Sequence, residues 1–91
     1  VSFGTTSLFE IKYISPIPAK ERINCNIYSL INVPVTIFIY DVSGRKIMEK
    51  QERLNIGNNS FEEDVSLLPK GIYLLKVQME DGKRVIQRFI K

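Results

Sequence analysis

Between Val35 and Met48 the chain reads Val-Thr-Ile-Phe-Ile-Tyr-Asp-Val-Ser-Gly-Arg-Lys-Ile-Met, and few folds can accept such a stretch. Valine, isoleucine, threonine and aromatics alternate up to Tyr40, which suits a pleated strand whose two faces meet different surroundings. Asp-Val-Ser-Gly then supplies a turn. Asp41 can accept hydrogen bonds from the backbone just after it, and Gly44 can take the left-handed conformation that closes a type I turn with a bulge. The stretch predicts a hairpin in which Val35 to Tyr40 pairs antiparallel with the segment after Gly44. Both faces of Val35 to Tyr40 are largely apolar, so the strand is expected mid-sheet with one face against a second sheet, and Ile37 with either Ile39 or its neighbours is expected to be nearly inaccessible.

A chain of 91 residues supports one domain with a single core. Residues 1–7 lack the basic start and apolar run of a signal peptide and are expected to be a linker remnant, with the domain at 8–91. The apolar share of 44% and charged share of 25% are ordinary for a globular domain, and no apolar run approaches the roughly twenty residues of a membrane-spanning helix. The single cysteine excludes an internal disulfide. Cys25 alternates with Ile23 and Ile27, which makes it an unreactive core residue. A net charge of +3 is too mild for a nucleic-acid face, so no nucleic-acid partner is expected. The charge is uneven, however: Lys83, Arg84, Arg88 and Lys91 follow one another with no acid among them, while Glu62, Glu63 and Asp64 form an acidic run.

Taken in order, Leu8 to Ile14 reads as a short strand ended by Ser-Pro-Ile-Pro, where the chain is expected to cross over. Arg22 to Tyr28 alternates as a half-buried strand, broken at Asn32 to Pro34. Arg45 to Arg53 is mostly charged, with only Ile47 and Met48 to bury, and is placed at a sheet edge. Ile56 to Asn59 reads as a turn cluster. Phe61 to Val65 is a weak strand, because alternation sends Glu63 inward with Phe61 and Val65; a bulge or an edge position would relieve this. Leu67 to Gly71 makes a tight turn. Ile72 to Met79 directs Tyr73, Leu75, Val77 and Met79 to one face, and Asp81-Gly82 suits a type I′ turn into the last strand, Lys83 to Ile90. The buried face of that last strand stays open. Seven short strands with no helical period predict an all-β chain, an immunoglobulin-like β-sandwich of about seven antiparallel strands, with a small barrel as the second choice.

Catalytic groupings are missing from the pattern. There is no histidine, no serine or cysteine with an evident activating partner, and no calcium loop. Neighbouring carboxylates at Glu62, Glu63 and Asp64 point to opposite faces of a strand and cannot converge on one substrate. The chain is therefore expected to be no enzyme, to hold no cofactor or metal, and to act by surface recognition.

Four motifs in order carry a family resemblance: Ser-Pro-Ile-Pro-Ala at 15–19, Ile-Tyr-Asp-Val-Ser-Gly-Arg-Lys-Ile at 39–47, Leu-Pro-Lys-Gly-Ile-Tyr at 68–73, and Asp-Gly-Lys-Arg-Val-Ile-Gln-Arg-Phe-Ile-Lys at 81–91. From about Tyr13 to Lys91 the chain resembles the type A C-terminal sorting domain of the type IX secretion system of Bacteroidetes. It departs from that family at the first motif, where Ser15-Pro16-Ile17-Pro18 stands in place of Tyr-Pro-Asn-Pro. The resemblance implies a tag that directs an N-terminally attached cargo across the outer membrane and is then cleaved off. It implies as partners an outer-membrane translocon or shuttle protein and a sortase-like peptidase, with a monomeric domain in periplasmic transit to the cell surface or exterior. The candidate recognition residues are Gly71, Tyr73, Gly82, Lys83, Arg84, Arg88 and Lys91. Pro16, Pro18, Asp41 and Gly44 are the structural motif residues, Gly71 is read as a turn former and Tyr73 as core. The competing reading is an accessory sandwich, carbohydrate-binding or domain-linking, in a secreted enzyme.

Overall fold

The computed structural model describes residues 8–16 and 19–91. The expected linker at 1–7 and the motif residue Pro18 lie outside the described residues. Seven strands follow in order: β1 (Phe9–Ser15), β2 (Arg22–Ser29), β3 (Val33–Asp41), β4 (Lys46–Leu54), β5 (Gly57–Asp64), β6 (Ile72–Met79) and β7 (Arg84–Ile90). They form two antiparallel sheets, β1-β2-β5 and β4-β3-β6-β7. Two open sheets face each other, so the sandwich is the fold and the barrel is not. No helix occurs among the described residues.

β3 lies between β4 and β6, as its two apolar faces require, and Ile37 and Ile39 are fully buried. The core combines Ile23, Cys25 and Ile27 of β2 with Val35, Ile37 and Ile39 of β3 and Tyr73, Leu75 and Val77 of β6. Phe89 closes it from β7, so the last strand buries Val85 in part and Phe89 fully, and turns Arg84, Ile86, Arg88 and Ile90 outward. Packing decides this: inverting the strand would drive two arginines into the core, at a desolvation cost no local contact offsets. Cys25 has no exposed surface, and burial, followed by the charge of Glu63, pushes its thiol up to about 12. That keeps it a thiol at neutral pH.

Four expectations need correction. The chain does not cross over at the prolines; β1 ends there and β2 turns back to pair beside it in the same sheet, while the Ala19 N–H of the connecting loop donates to Ile90 O at 2.8 Å. Pro34 does not break a strand, because it sits near the start of β3, opposite Arg53 and one residue before the pairing with β6 begins. The turn cluster at 56–59 is shorter than expected, since Gly57 (φ +103°) to Asn59 already pair with β2. Finally, the Asp81-Gly82 turn is not type I′, which needs positive φ at two successive residues. Only Gly82 is positive (φ +94°); Gly82 N–H donates to Met79 O at 3.0 Å and Met79 N–H to Lys83 O at 2.8 Å, a three-residue loop with a bulge. The Asp41–Arg45 loop has the same form, with Gly44 at φ +88°. Two unrelated tetrapeptides thus make one turn geometry.

β4 and β5 are both edge strands. Of the two ways to relieve the inward Glu63, the edge is the one used: the β2–β5 register runs without a shift, and Glu63, 4% exposed, meets the Lys50 ammonium of β4 at 3.4 Å. The pair spans the two sheets along one open side of the sandwich. Burial raises the Glu63 carboxyl above its ordinary range, and Lys50 offsets part of the rise.

Candidate recognition surface

The terminal hairpin is built from β6 and β7, in register from Ile72 opposite Ile90 to Gln78 opposite Arg84. Each outward residue of β7 therefore lies beside one of β6: Arg84 by Gln78, Ile86 by Lys76, Arg88 by Leu74, and Ile90 by Ile72. The result is a mixed surface. Ile72, Ile86 and Ile90 are 42%, 54% and 44% exposed, with Arg88 between the two isoleucines of β7 and Arg84 before them. Neither Arg84 nor Arg88 forms an ion pair among the described residues. Farther across the same face the Phe38 and Tyr40 rings stack at 5.8 Å, and the Lys76 ammonium lies over both, 4.6 Å and 5.0 Å from their centroids. Cation–π attraction holds this ammonium against the rings.

The residues singled out in the sequence divide into two groups. Arg84 and Arg88 are exposed and free to meet a partner. Lys83 is exposed at the turn, with its ammonium 3.6 Å from Asp81. Lys91 belongs elsewhere: its ammonium donates to Val65 O, Ser66 O and Leu68 O, the last two at 3.0 and 2.6 Å. Three carbonyls converging on one cation make Lys91 a clamp on the loop between β5 and β6, so its charge is spent inside the domain. Its backbone extends the hairpin too, exchanging hydrogen bonds with Gly71 at 2.8 and 3.1 Å.

Gly71 is no positive-φ turn former, and a Cβ there would meet nothing within 4 Å. Its contribution is the backbone pair with Lys91. Tyr73 is core, as expected, 4% exposed and stacked 5.7 Å from Phe89, and its hydroxyl donates to Pro69 O. Gly82 and Gly44 close the two hairpin loops. Asp41 gathers the first of these loops: its Oδ1 accepts from Ser43 N at 3.0 Å, Ser43 Oγ at 2.6 Å and Arg45 N at 3.0 Å. These bonds, the Ser43 hydroxyl first, hold the Asp41 carboxyl below its ordinary value. Pro16 is exposed just after β1. Of the residues named from sequence, only Lys83, Arg84 and Arg88 therefore share the exposed hairpin surface. The sequence reading did not include Ile72, Ile86 and Ile90; Ile72 turns outward because Tyr73, Leu75 and Val77 of its strand are buried, and Ile86 and Ile90 turn outward once Phe89 is buried.

Residues 13–91 match the family model described as secretion system C-terminal sorting domain, which takes in the second half of β1 and every later strand. A search of curated proteins finds no match for the chain.

Proposed function

This chain belongs to the secretion system C-terminal sorting domain family of type IX secretion, and we propose that it directs an N-terminally attached cargo through the periplasm and across the outer membrane, after which a sortase-like peptidase removes it. The observation that carries the reading is the match at residues 13–91, which covers nearly the whole sandwich rather than one motif. In this reading the domain is address and substrate, and a translocon or shuttle protein reads it as a folded monomer. Arg84 and Arg88 supply the charge that is read, because they are exposed on the hairpin and form no ion pair among the described residues. Gly71, Tyr73, Gly82 and Lys91 serve recognition indirectly, by holding the hairpin and the loop beneath it in shape.

A carbohydrate-binding role would use Phe38 and Tyr40 as a stacking platform, but Lys76 already lies over both rings. The test is a fusion of this domain to the C-terminus of a periplasmic reporter in a type IX-competent cell. The reporter should reach the cell surface or the medium. A fully folded fusion that stays in the periplasm would refute the sorting reading.

A further inference from the structure

The sandwich has four edge strands, β1, β5, β4 and β7. Three of them carry features that hinder pairing. β1 is bulged between Ile11 and Tyr13, and the β3–β4 ladder is bulged between Ile39 and Tyr40. β4 also carries five charged residues, Lys46, Glu49, Lys50, Glu52 and Arg53. β5 is tied sideways to the opposite sheet by Glu63 and Lys50. β7 differs: it comes alongside β1 of the facing sheet but forms no ladder with it, its register with β6 runs unbroken over seven residues, and it contains no proline and no acid.

Its hydrogen-bonding groups can be assigned one by one. At one end Met79 N–H donates to Lys83 O, and at the other Gly71 and Lys91 exchange both bonds. Alternation in an antiparallel ladder then turns the backbone groups of Val85, Gln87 and Phe89 toward β6 and those of Arg84, Ile86, Arg88 and Ile90 outward. Among the described residues, Ala19 N–H occupies Ile90 O, and the exposed Gln87 amide donates to Arg88 O at 3.2 Å. The N–H and C=O of Arg84 and Ile86 and the N–H of Arg88 face away from the sheet. The side chains of the same three residues stand on the outer face as arginine, isoleucine, arginine at alternate positions.

We propose that β7 is the docking edge, and that its partner adds an extended strand carrying carboxylate, apolar and carboxylate side chains at alternate positions, opposite Arg84, Ile86 and Arg88. This rests on the sorting reading and names the chemistry of the partner that reads the hairpin. Backbone bonds give the register and the alternate side chains the selectivity, as in strand addition generally. Charge complementarity points to an acidic strand, since among the described residues neither arginine forms an ion pair. The same charges disfavour a second copy of this chain. Two β7 strands paired antiparallel about Ile86 would set Arg84 of each opposite Arg88 of the other, and like charges directly opposite are destabilising. The pattern thus repels itself and attracts an acidic strand.

Amide hydrogen exchange reads the edge directly. In the free chain Val85, Gln87 and Phe89 should exchange slowly and Arg84, Ile86 and Arg88 fast. The probe is a synthetic peptide, Ser-Thr-Glu-Thr-Val-Thr-Glu-Thr-Ser, whose glutamates meet both arginines in either strand direction. At free peptide about ten times its Kd, exchange at Arg84, Ile86 and Arg88 should slow by about tenfold. No added protection at these three amides would overturn the proposal. Equal protection by the same peptide with lysines in place of glutamates would overturn the acidic assignment. In the fusion assay, Ile86→Pro removes an outward N–H and no bond to β6, a position where an edge strand accepts proline. It should melt close to the parent and lose export. If it exports as well as the parent, the edge proposal fails while the sorting reading stands. If the parent fusion itself is retained, the sorting reading fails, and the peptide experiment still decides the edge.

Discussion

Replacing Lys50 with methionine keeps most of the side chain's apolar stem and removes the cation facing Glu63. The native pair meets at 3.4 Å, with Glu63 4% and Lys50 42% exposed at the side chain. Coulomb attraction at that distance lies between about 1 kcal/mol in water and about 5 kcal/mol at an effective dielectric of 20. Removing one partner of a fully buried pair costs about 3 to 5 kcal/mol; the exposure of Lys50 places this pair lower, at about 2 kcal/mol near neutral pH. The loss is not offset by Glu52, which Lys50 also holds, at 2.9 Å, because Glu52 repels Glu63 once the lysine is gone. For a domain of this size about 2 kcal/mol lowers Tm by roughly 8 to 16 °C.

The pH dependence gives a second signature. Burial already raises the Glu63 carboxyl above 4.5, and Lys50 pulls it down, so the methionine variant raises it further. A carboxyl raised in the folded state favours folding while it is protonated and loses that contribution as pH rises through its folded value. The Lys50→Met penalty should therefore shrink on acidification toward the raised Glu63 value. Adding Glu63→Gln should restore most of the stability at neutral pH, since both charges are then absent. Chemical denaturation across pH, read by far-UV circular dichroism, measures the parent and both variants. A Lys50→Met domain that melts within about 2 °C of the parent at neutral pH, with no recovery in acid, would refute the reasoning.

Lys91→Met should destabilise the domain by about 2 kcal/mol, seen as a lower denaturant midpoint, because three carbonyls lose a charged donor. Arg84→Glu and Arg88→Glu should each move stability by no more than about 0.5 kcal/mol while export of the fusion falls; unchanged export would remove charge from the recognition reading. Gly82→Ala and Gly44→Ala should each cost about 1 to 2 kcal/mol through left-handed backbone strain, whereas Gly71→Ala should be nearly neutral in thermal melts. Asp41 and Asp64, both held below 3.8 by hydrogen bonds, should favour folding above that value and lose their contribution as pH falls through their folded values; in Asp41→Asn this part of the acid titration should be reduced. A bulky thiol reagent should label Cys25 only when the domain unfolds, which timed mass spectrometry in rising denaturant would show.

Much of the fold follows from local pattern. The alternation of Val35 to Tyr40 and of Ile72 to Met79, with Asp41, Gly44 and Gly82 at the turns, specifies strands and hairpins through contacts a few residues apart, and such information is complete within a short window. The central place of β3 was legible too, because a strand apolar on both faces has nowhere else to go. Where two faces of a strand were equally apolar, the pattern was silent. β7 offers Val85 and Phe89 on one side and Ile86 and Ile90 on the other, and the packing that stacks Phe89 on Tyr73 while keeping Arg84 and Arg88 out of the core chose between them. That choice also made Ile86 part of the exposed surface.

Composition likewise treated Lys83, Arg84, Arg88 and Lys91 as one basic group. The tertiary structure separated them, because the loop after β5 brings three carbonyls to the Lys91 ammonium while neither Arg84 nor Arg88 forms an ion pair among the described residues. Glu63 is the corresponding case on the other side of the sandwich. Its inward direction is a matter of period two, but its tolerance depends on Lys50. That partner is 13 residues away in sequence and on the facing sheet. Strand periodicity is written residue by residue along the chain, whereas the partner of a buried or exposed charge is set by which strands the fold lays side by side.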